Sequence, residues 1–269
     1  MNMQLENAKA HPYALKKMPW DNVVPWLVPL GCLIIWQICS QMGLIPTRIL
    51  PAPTKILEAA LRLSMSGELL RHVQVSTHRA LIGFAIGGGI GLALGFLNGM
   101  LPIAEKILDS SIQMVRNVPH LALIPLVILW FGIGDEARIF LVVLGVFFPI
   151  YINTFHGIRS IDPNLVEMGQ VYGLSQHELL IQIILPGALS NVLVGLRYAL
   201  GLMWLTLIVA ETIAANSGIG YMAMNAREFM QTDVVVLSIL LYALLGKLAD
   251  SAVRWLERSL LPWHPSQNA

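Results

Sequence analysis

Six apolar stretches, most of them long enough to cross a lipid bilayer, constrain this chain more than any other feature. A membrane-spanning helix needs about 20 apolar residues, and the candidates cover residues 23–42, 80–101, 120–133, 139–156, 188–214 and 234–249. Charged residues make up 12% of the 269 residues, about half of the roughly 25% found in soluble domains. The sequence therefore excludes a soluble globule and predicts an all-α membrane protein with six transmembrane helices, the third of them short and proline-bearing.

These spans divide the chain into an N-terminal segment (1–22), a membrane domain (23–260) with a prominent loop at 157–187, and a tail (261–269). An even number of spans puts both termini on one side. Cytoplasmic segments carry an excess of Lys and Arg, and with the termini inside we count nine inner and seven outer basic residues. Five of the outer ones lie in residues 43–79, where the pattern predicts an amphipathic surface helix broken at Gly67. We expect cytoplasmic termini.

Glycines recur at every fourth position of the second span. Helical residues four apart share a face, and small residues on one face let two membrane helices approach closely. The register predicts a helix-packing groove, within the subunit or between two copies, formed by Gly83, Gly87, Gly91, Gly95 and Gly99.

Prolines interrupt the third and fourth spans at Pro119, Pro125 and Pro149. Each removes a backbone hydrogen bond and tends to kink a helix. Broken helices are tolerated in membranes where they are buried in protein or line a wet cavity, which favours a transporter or channel over a simple anchor.

Two ionisable residues, Arg197 and Glu211, fall inside the fifth span. Fourteen helical residues separate them by about 21 Å, so they cannot pair directly. Intramembrane charges usually mark function. The alternative is that each one reaches a different membrane interface.

The loop at 157–187 carries signals for two short helices. Asp162-Pro163 begins a helix, Gly173 ends it, and Ser175 with Glu178 forms a capping box for the next one. Pro186 precedes the fifth span. A compact folded loop of this kind is suited to docking a soluble partner.

The same loop resembles the EAA motif of ABC importer permeases. That motif reads Glu-Ala-Ala, three residues, Gly, nine residues, Ile-x-Leu-Pro. The spacing fits at every position, although Met168 and Gly169 replace the two alanines. The resemblance assigns the ATPase-coupling positions to Glu167, Gly169, Gly173, Ile183, Leu185 and Pro186, of which Gly169 is one of the two departures.

Further runs are similar to the nitrate, sulfonate and taurine importer permeases, and most closely to the aliphatic sulfonate branch, over residues 25–260. They lie at residues 116–120, 130–132, 148–153, 201–204, 210–212 and 217–220. The resemblance implies the type I ABC importer permease fold, with the loop in the cytoplasm of a bacterium and the chain in its inner membrane. It also implies a homodimer, two cytoplasmic ABC ATPase subunits docked on the loop, and a periplasmic or lipid-anchored substrate-binding protein.

No Gly-x-x-x-x-Gly-Lys-Ser/Thr phosphate loop occurs in the chain, so it lacks that way of binding ATP. We expect a subunit that is not itself an enzyme, with ATP and Mg²⁺ used by the partner ATPase. Cys32 and Cys39 lie seven residues apart in one apolar stretch and predict neither a disulfide framework nor a metal site.

Two other classes remain as alternatives. A secondary transporter usually shows internal repeats and midplane ionisable residues, and no convincing repeat is present. A membrane-embedded enzyme would need a catalytic cluster, whereas His120 and His156 stand singly near span ends.

The resemblance predicts an alkanesulfonate as the transported species, with taurine, nitrate or another small anion as alternatives. An anion crossing the membrane needs polar partners that do not hold it strongly. The sequence offers Asn117, Asn153, Thr206 and Asn216 as neutral partners, with Arg197 the only basic residue well inside a span. We therefore expect a mostly neutral pathway, and a structural or outer-gate role for Glu211.

Overall fold

The computed structural model describes residues 24–262, and every regular element in that range is helical. The predicted N-terminal segment and residues 263–269 of the tail lie outside the described residues. The first helix, α1 (Val24–Gln41), leads through a turn to α2 (Pro53–Met65). The first residue of α2 is a proline. The Gln37 side chain links α1 to the start of α2 by hydrogen bonds with Thr54.

Within residues 24–262, the structure contains four helices long and apolar enough to cross a bilayer. They are α3 (Glu68–Met100), α7 (Asp135–Arg159), α10 (Leu185–Ala214) and α12 (Thr232–Leu260). The broadest contacts run between α3 and α7 and between α7 and α10. Alternating directions along the chain place the start of α7 and the end of α10 at one pole, which we call the Glu211 pole, and the loop between them at the opposite pole.

The glycine register of α3 packs directly on the backbone of α7. A Cβ added to Gly87 would lie 2.5 Å from the Val143 carbonyl oxygen, and one added to Gly91 would lie 2.8 Å from that of Phe147. Gly83, Gly95 and Gly99 meet α7 side chains or backbone just as closely. The close helix packing thus lies within the subunit, a choice the sequence left open.

The second span begins earlier than predicted. α3 starts at Glu68, directly after Gly67, whose φ of +78° ends the preceding helix α2. The predicted surface helix is therefore only α2, and residues 68–79 form the first three turns of the long span. This correction moves Arg79 from a surface position to the interior, where it is 2% exposed.

The third predicted span, 120–133, forms only the second arm of a bent pair of helices that begins at Pro102. The first arm, Pro102–Arg116, consists of α4 (Pro102–Ala104), a π-helical turn and α5 (Ser110–Arg116). The second arm, His120–Phe131, ends in α6 (Ile124–Phe131). The two arms are bent by 76° relative to each other. Pro119 lacks an N–H and disfavours helical backbone in the residue before it. Six spans require counting this bent pair as one and α1 as another.

The chain between the fourth and fifth spans folds into α8 (Pro163–Val171) and α9 (Gln176–Leu179). A π-helical turn, Leu180–Ile184, joins α9 to α10 without a gap. At the Glu211 pole, a helix not expected from the sequence, α11 (Ile219–Glu228), packs between α10 and α12.

Candidate functional site

The loop between α7 and α10 is held rigid by its own local hydrogen bonds. The Asp162 carboxylate accepts from the Asn164 N–H at 2.9 Å and begins α8. Gly173 has φ of +84°, which favours glycine. Ser175 and Glu178 then cap α9 reciprocally, the Ser175 N–H donating to the Glu178 carboxylate at 2.8 Å.

Gly169 explains why a small residue is needed in the motif. A Cβ on Gly169 would lie 2.6 Å from Leu179 and 2.7 Å from Ile183, so α8 rests directly on α9 and the π-helical turn. Ile183 of the motif is thus the contact partner of Gly169. Leu185 and Pro186 fall in the first turn of α10, so α8 is connected to a membrane-spanning helix without a flexible linker.

The outer surface of α8 exposes apolar side chains. Met168 is 48% exposed, Val171 86% and Tyr172 80%. The Glu167 side chain is exposed beside them. Exposed apolar patches on soluble parts of proteins commonly mark interaction sites, and this one lies at the pole that carries the folded loop.

Glu211 lies at the opposite pole in a buried polar cluster. Its carboxylate is 1% exposed and accepts from the Arg79 guanidinium at 2.8 Å, the Gly220 N–H at 2.9 Å and the Tyr242 hydroxyl at 3.0 Å. The Ser76 hydroxyl lies within 2.9 Å of both carboxylate oxygens. Buried charges require such pairing, and the cluster joins α3, α10, α11 and α12.

Arg79 extends the cluster to α7 and to the loop before α11. It donates to Asp135 at 2.7 Å and to the Ser217 carbonyl oxygen at 2.7 Å. The Gly218 N–H donates to Nδ1 of His72 at 3.0 Å. All these groups fix the segment that connects α10 to α11.

Sequence reasoning placed Glu211 at a membrane interface or gate but missed Arg79 as its partner. The signal was present, because Arg79 lies four residues before Gly83 and so continues the face of the glycine register. Ser76, seven residues before Gly83, lies on the same face of the helix. The face thus predicts an interior position for both polar residues.

Two of the predicted pathway residues lie where α7 meets α10. The Thr206 hydroxyl is buried and lies 3.0 Å from Nε2 of His120. The Asn153 amide donates to the Pro149 carbonyl oxygen at 2.8 Å. Gly145 makes room for the first pair, since a Cβ there would lie 2.8 Å from the Thr206 hydroxyl oxygen.

The other predicted pathway residues lie elsewhere. Asn117 caps the end of α5 and Asn216 is exposed in the loop before α11. Arg197 pairs with Glu257 of α12 and lies 3.6 Å from Asp250. The structure therefore does not bring the six predicted residues into one site.

Comparison with known proteins identifies the fold and its class. Residues 85–262 match the family described as "Binding-protein-dependent transport system inner membrane component". The chain belongs to this family of ABC importer permeases. The permease is therefore an integral membrane subunit, and ATP hydrolysis belongs to separate partner subunits.

This permease is 63% identical over 245 residues to the "Putative aliphatic sulfonates transport permease protein SsuC" of Escherichia coli (strain K12), covering 91% of this chain and 93% of that protein. It is 45% identical to the Bacillus subtilis (strain 168) protein of the same description, covering 96% and 95%. The "Taurine transport system permease protein TauC" of E. coli is 36% identical, covering 97% and 98%.

Two solved structures share the fold of the permease. An inward-facing form of the MetNI methionine ABC transporter aligns with a TM-score of 0.56 at 20% identity, over 71% of this chain and 97% of that chain. An amino acid ABC transporter aligns with a TM-score of 0.61 at 14% identity, over 74% and 97%. The predicted type I importer fold is thereby confirmed.

Proposed function

We propose that this permease imports aliphatic sulfonates across the inner membrane as one half of a homodimer. Two ATPase subunits dock on α8 in the cytoplasm, and a binding protein delivers substrate at the Glu211 pole. The observation that carries the proposal is the rigid, apolar-surfaced loop 163–184, which continues into α10 through helical turns without a flexible joint.

The orientation follows from this assignment. If α8 faces the cytoplasm, α7 and α10 place the Glu211 pole outside and both termini inside. The buried ion pair of Glu211 and Arg79 then closes the outer ends of α3, α10 and α12 around the loop at 217–220. The carboxylate is fully engaged with protein donors, which supports a structural or outer-gate role and not a role as an anion ligand.

The dimer is supported by the number of spans. One subunit supplies four full-length helices within residues 24–262, too few to enclose an alternating pathway. A second copy related by a two-fold axis provides the other half. The pathway then lies at or near that axis, where the α5–α6 bend and the α7–α10 seam contribute its walls.

The substrate is supported by the relatives. Two permeases described for aliphatic sulfonates share 63% and 45% identity with this chain, against 36% for the taurine permease. A sulfonate stays ionised at neutral pH. Selection by the external binding protein leaves the permease to pass the anion without holding it strongly.

Growth on a defined sulfur source tests the substrate. In a strain lacking this gene and any second uptake system, we expect no growth on an alkanesulfonate as sole sulfur source and full growth on sulfate. The same strain is also grown with taurine as sole sulfur source and with nitrate as sole nitrogen source, to test the two alternative substrates. Undiminished growth on the alkanesulfonate would contradict the substrate while leaving the importer class intact.

A further inference from the structure

A cavity of about 350 Å³ lies where the bend after α5 meets the middle of α7 and α10. Small-molecule sites occupy about 300–1,000 Å³. Its lining includes the apolar side chains of Phe148, Ile152 and Leu202 and the polar side chains of Arg116, His120 and Tyr198. The cavity therefore offers both apolar and polar contacts.

Arg116 is one of the nine basic residues that the charge count places on the cytoplasmic side, and the structure places it elsewhere. It ends α5, yet it shares the cavity with Gly145 and Leu202, which lie well within the spanning helices α7 and α10. Among the described residues, its guanidinium has no hydrogen-bond or ion-pair partner. Arg116 therefore places a positive charge at this cavity that no side chain among residues 24–262 neutralises.

Two polar side chains of the lining, His120 and Tyr198, can contact a bound molecule. His120 is held by the buried Thr206 hydroxyl at 3.0 Å. Because Thr206 occupies Nε2, the Nδ1 atom of the ring is left for another partner. The Tyr198 side chain, 67% exposed, supplies a phenol at the same cavity.

The backbone beside the cavity is not helical. Residues 117–119 separate α5 from the turn at His120–Leu123. Non-helical backbone at membrane depth is tolerated only where protein covers it or where it lines a water-filled cavity. Arg116 and His120, which flank this stretch, both line the cavity, so the break in the helix lies at its edge.

We propose that this cavity is a transient site for the translocated alkanesulfonate, its anionic head against Arg116 and the Tyr198 hydroxyl and its alkyl tail against Phe148 and Leu202. This inference rests on the proposed function and refines it. A planar guanidinium presents several N–H donors to an oxyanion. Arg116 is exposed in the single subunit and has no ion-pair partner among residues 24–262, so it is free to meet an anion. Release requires that this one contact does not hold the anion strongly.

Charge at position 116 is tested in proteoliposomes holding the permease with its ATPase subunits and binding protein. The variants are Arg116→Gln, Arg116→Lys and Arg48→Gln, the last an exposed arginine outside the cavity. We expect Arg116→Gln to lower ATP-driven uptake of hexanesulfonate by about tenfold, the size of one lost charge-assisted hydrogen bond. Arg116→Lys restores most of the rate because it retains the charge, whereas Arg48→Gln leaves the rate unchanged.

The tail position is tested by chain length. Leu202→Trp narrows the cavity, while Leu205→Trp changes an exposed neighbour on the same helix (53% exposed). We expect Leu202→Trp to lower the ratio of octanesulfonate to methanesulfonate uptake by about tenfold, as pocket filling does for longer substrates. Leu205→Trp leaves that ratio as in the wild type.

The outcomes separate the two claims. Wild-type complexes that import no sulfonate overturn both the proposed function and the site. Wild-type import of sulfonates, with Arg116→Gln and Leu202→Trp both at wild-type rates and ratios, overturns the site alone. Equal loss in Arg116→Gln and Arg116→Lys, in complexes that assemble normally, also overturns it, because charge would not be what matters.

Discussion

Glu211 shows at the scale of a single residue how a carboxylate is accommodated at membrane depth. Both of its oxygens accept hydrogen bonds, and a guanidinium balances its charge. Gly218 completes the arrangement, since its φ of +114° suits glycine and any side chain there would overlap the carboxylate. The Glu211 carboxylate and the 217–220 turn therefore fix each other's position through these contacts.

Glu211→Gln tests this pairing. The amide keeps the shape but removes the buried one of the two carboxylates that pair with Arg79, leaving only Asp135, whose side chain is 54% exposed. Breaking a buried pair outright costs about 3–5 kcal/mol, and the remaining bond to Asp135 offsets part of that cost. We expect a clear fall in the unfolding temperature of the detergent-solubilised permease. Glu58→Gln, at a 63% exposed side chain paired with Lys55, should change it little. Equal unfolding temperatures for the two variants would show that the cluster is not a stabilising element.

At the scale of helices, the seam between α3 and α7 depends on the absence of side chains. Gly91 lies against the Phe147 carbonyl oxygen, and the neighbouring Leu92 is 40% exposed on the other face. The five glycines lie on one face and all meet α7, Gly99 through the Ile158 side chain and Gly87, Gly91 and Gly95 through backbone atoms. The seam makes α3 and α7 a single rigid unit.

Gly91→Leu should therefore destabilise the subunit more than Leu92→Ala. The added side chain forces the two backbones apart, a strain of about 1–3 kcal/mol or more, whereas Leu92 loses contacts at an exposed position. Thermal unfolding of both variants in the same detergent measures the difference. The packing account is contradicted if the two variants unfold at the same temperature.

In the proposed function, the loop between α7 and α10 transmits the movement of the ATPase, and this requires its turn to keep its angle. Gly173→Val places a β-branched residue at φ of +84°, a conformation such residues rarely adopt. We expect the complex to assemble and hydrolyse ATP while uptake falls at least about tenfold, because a misplaced contact of this kind costs one to two orders of magnitude in rate.

Gly43→Val is the matched control for this prediction. Gly43 has φ of +73° and open space around it, but it lies in the turn between α1 and α2. Its substitution introduces the same backbone strain far from the ATPase contact. Uptake should be retained there, and an equal loss of coupling in both variants would mean that strain alone, and not the loop, is responsible.

Local signals made much of this architecture predictable, and non-local pairings did not. The caps at Asp162 and Ser175 and the glycine register are spacing patterns that a sequence displays directly. The bond between Arg79 and Glu211 joins residues 132 positions apart. The bend after Arg116 depended on Pro119 acting together with tertiary packing, so its angle and the cavity beside it were not predictable.

At the scale of the whole molecule, two specialised poles are joined by the rigid packing of α3, α7 and α10. The Glu211 cluster fixes one end and the α8 loop presents the other. The π-helical turn joins α8 and α9 to α10, the helix that carries Glu211, without a gap. In the proposed function, a shift of α8 passes along this connection to Glu211, and a second copy forms the opposite wall of the pathway.

The homodimer is tested by mass. Native mass spectrometry of the detergent-solubilised permease with its ATPase should show two permease and two ATPase copies. A complex carrying a single permease copy would contradict the two-fold arrangement.

In the proposed function, this permease couples ATP hydrolysis by a separate subunit to sulfonate import. Uptake of a labelled alkanesulfonate into proteoliposomes containing the permease, its ATPase and its binding protein measures this coupling directly. We expect accumulation that needs ATP and all three components and that survives collapse of ion gradients. Uptake that persists without ATP or without the ATPase, and that stops when an ion gradient is removed, would contradict it.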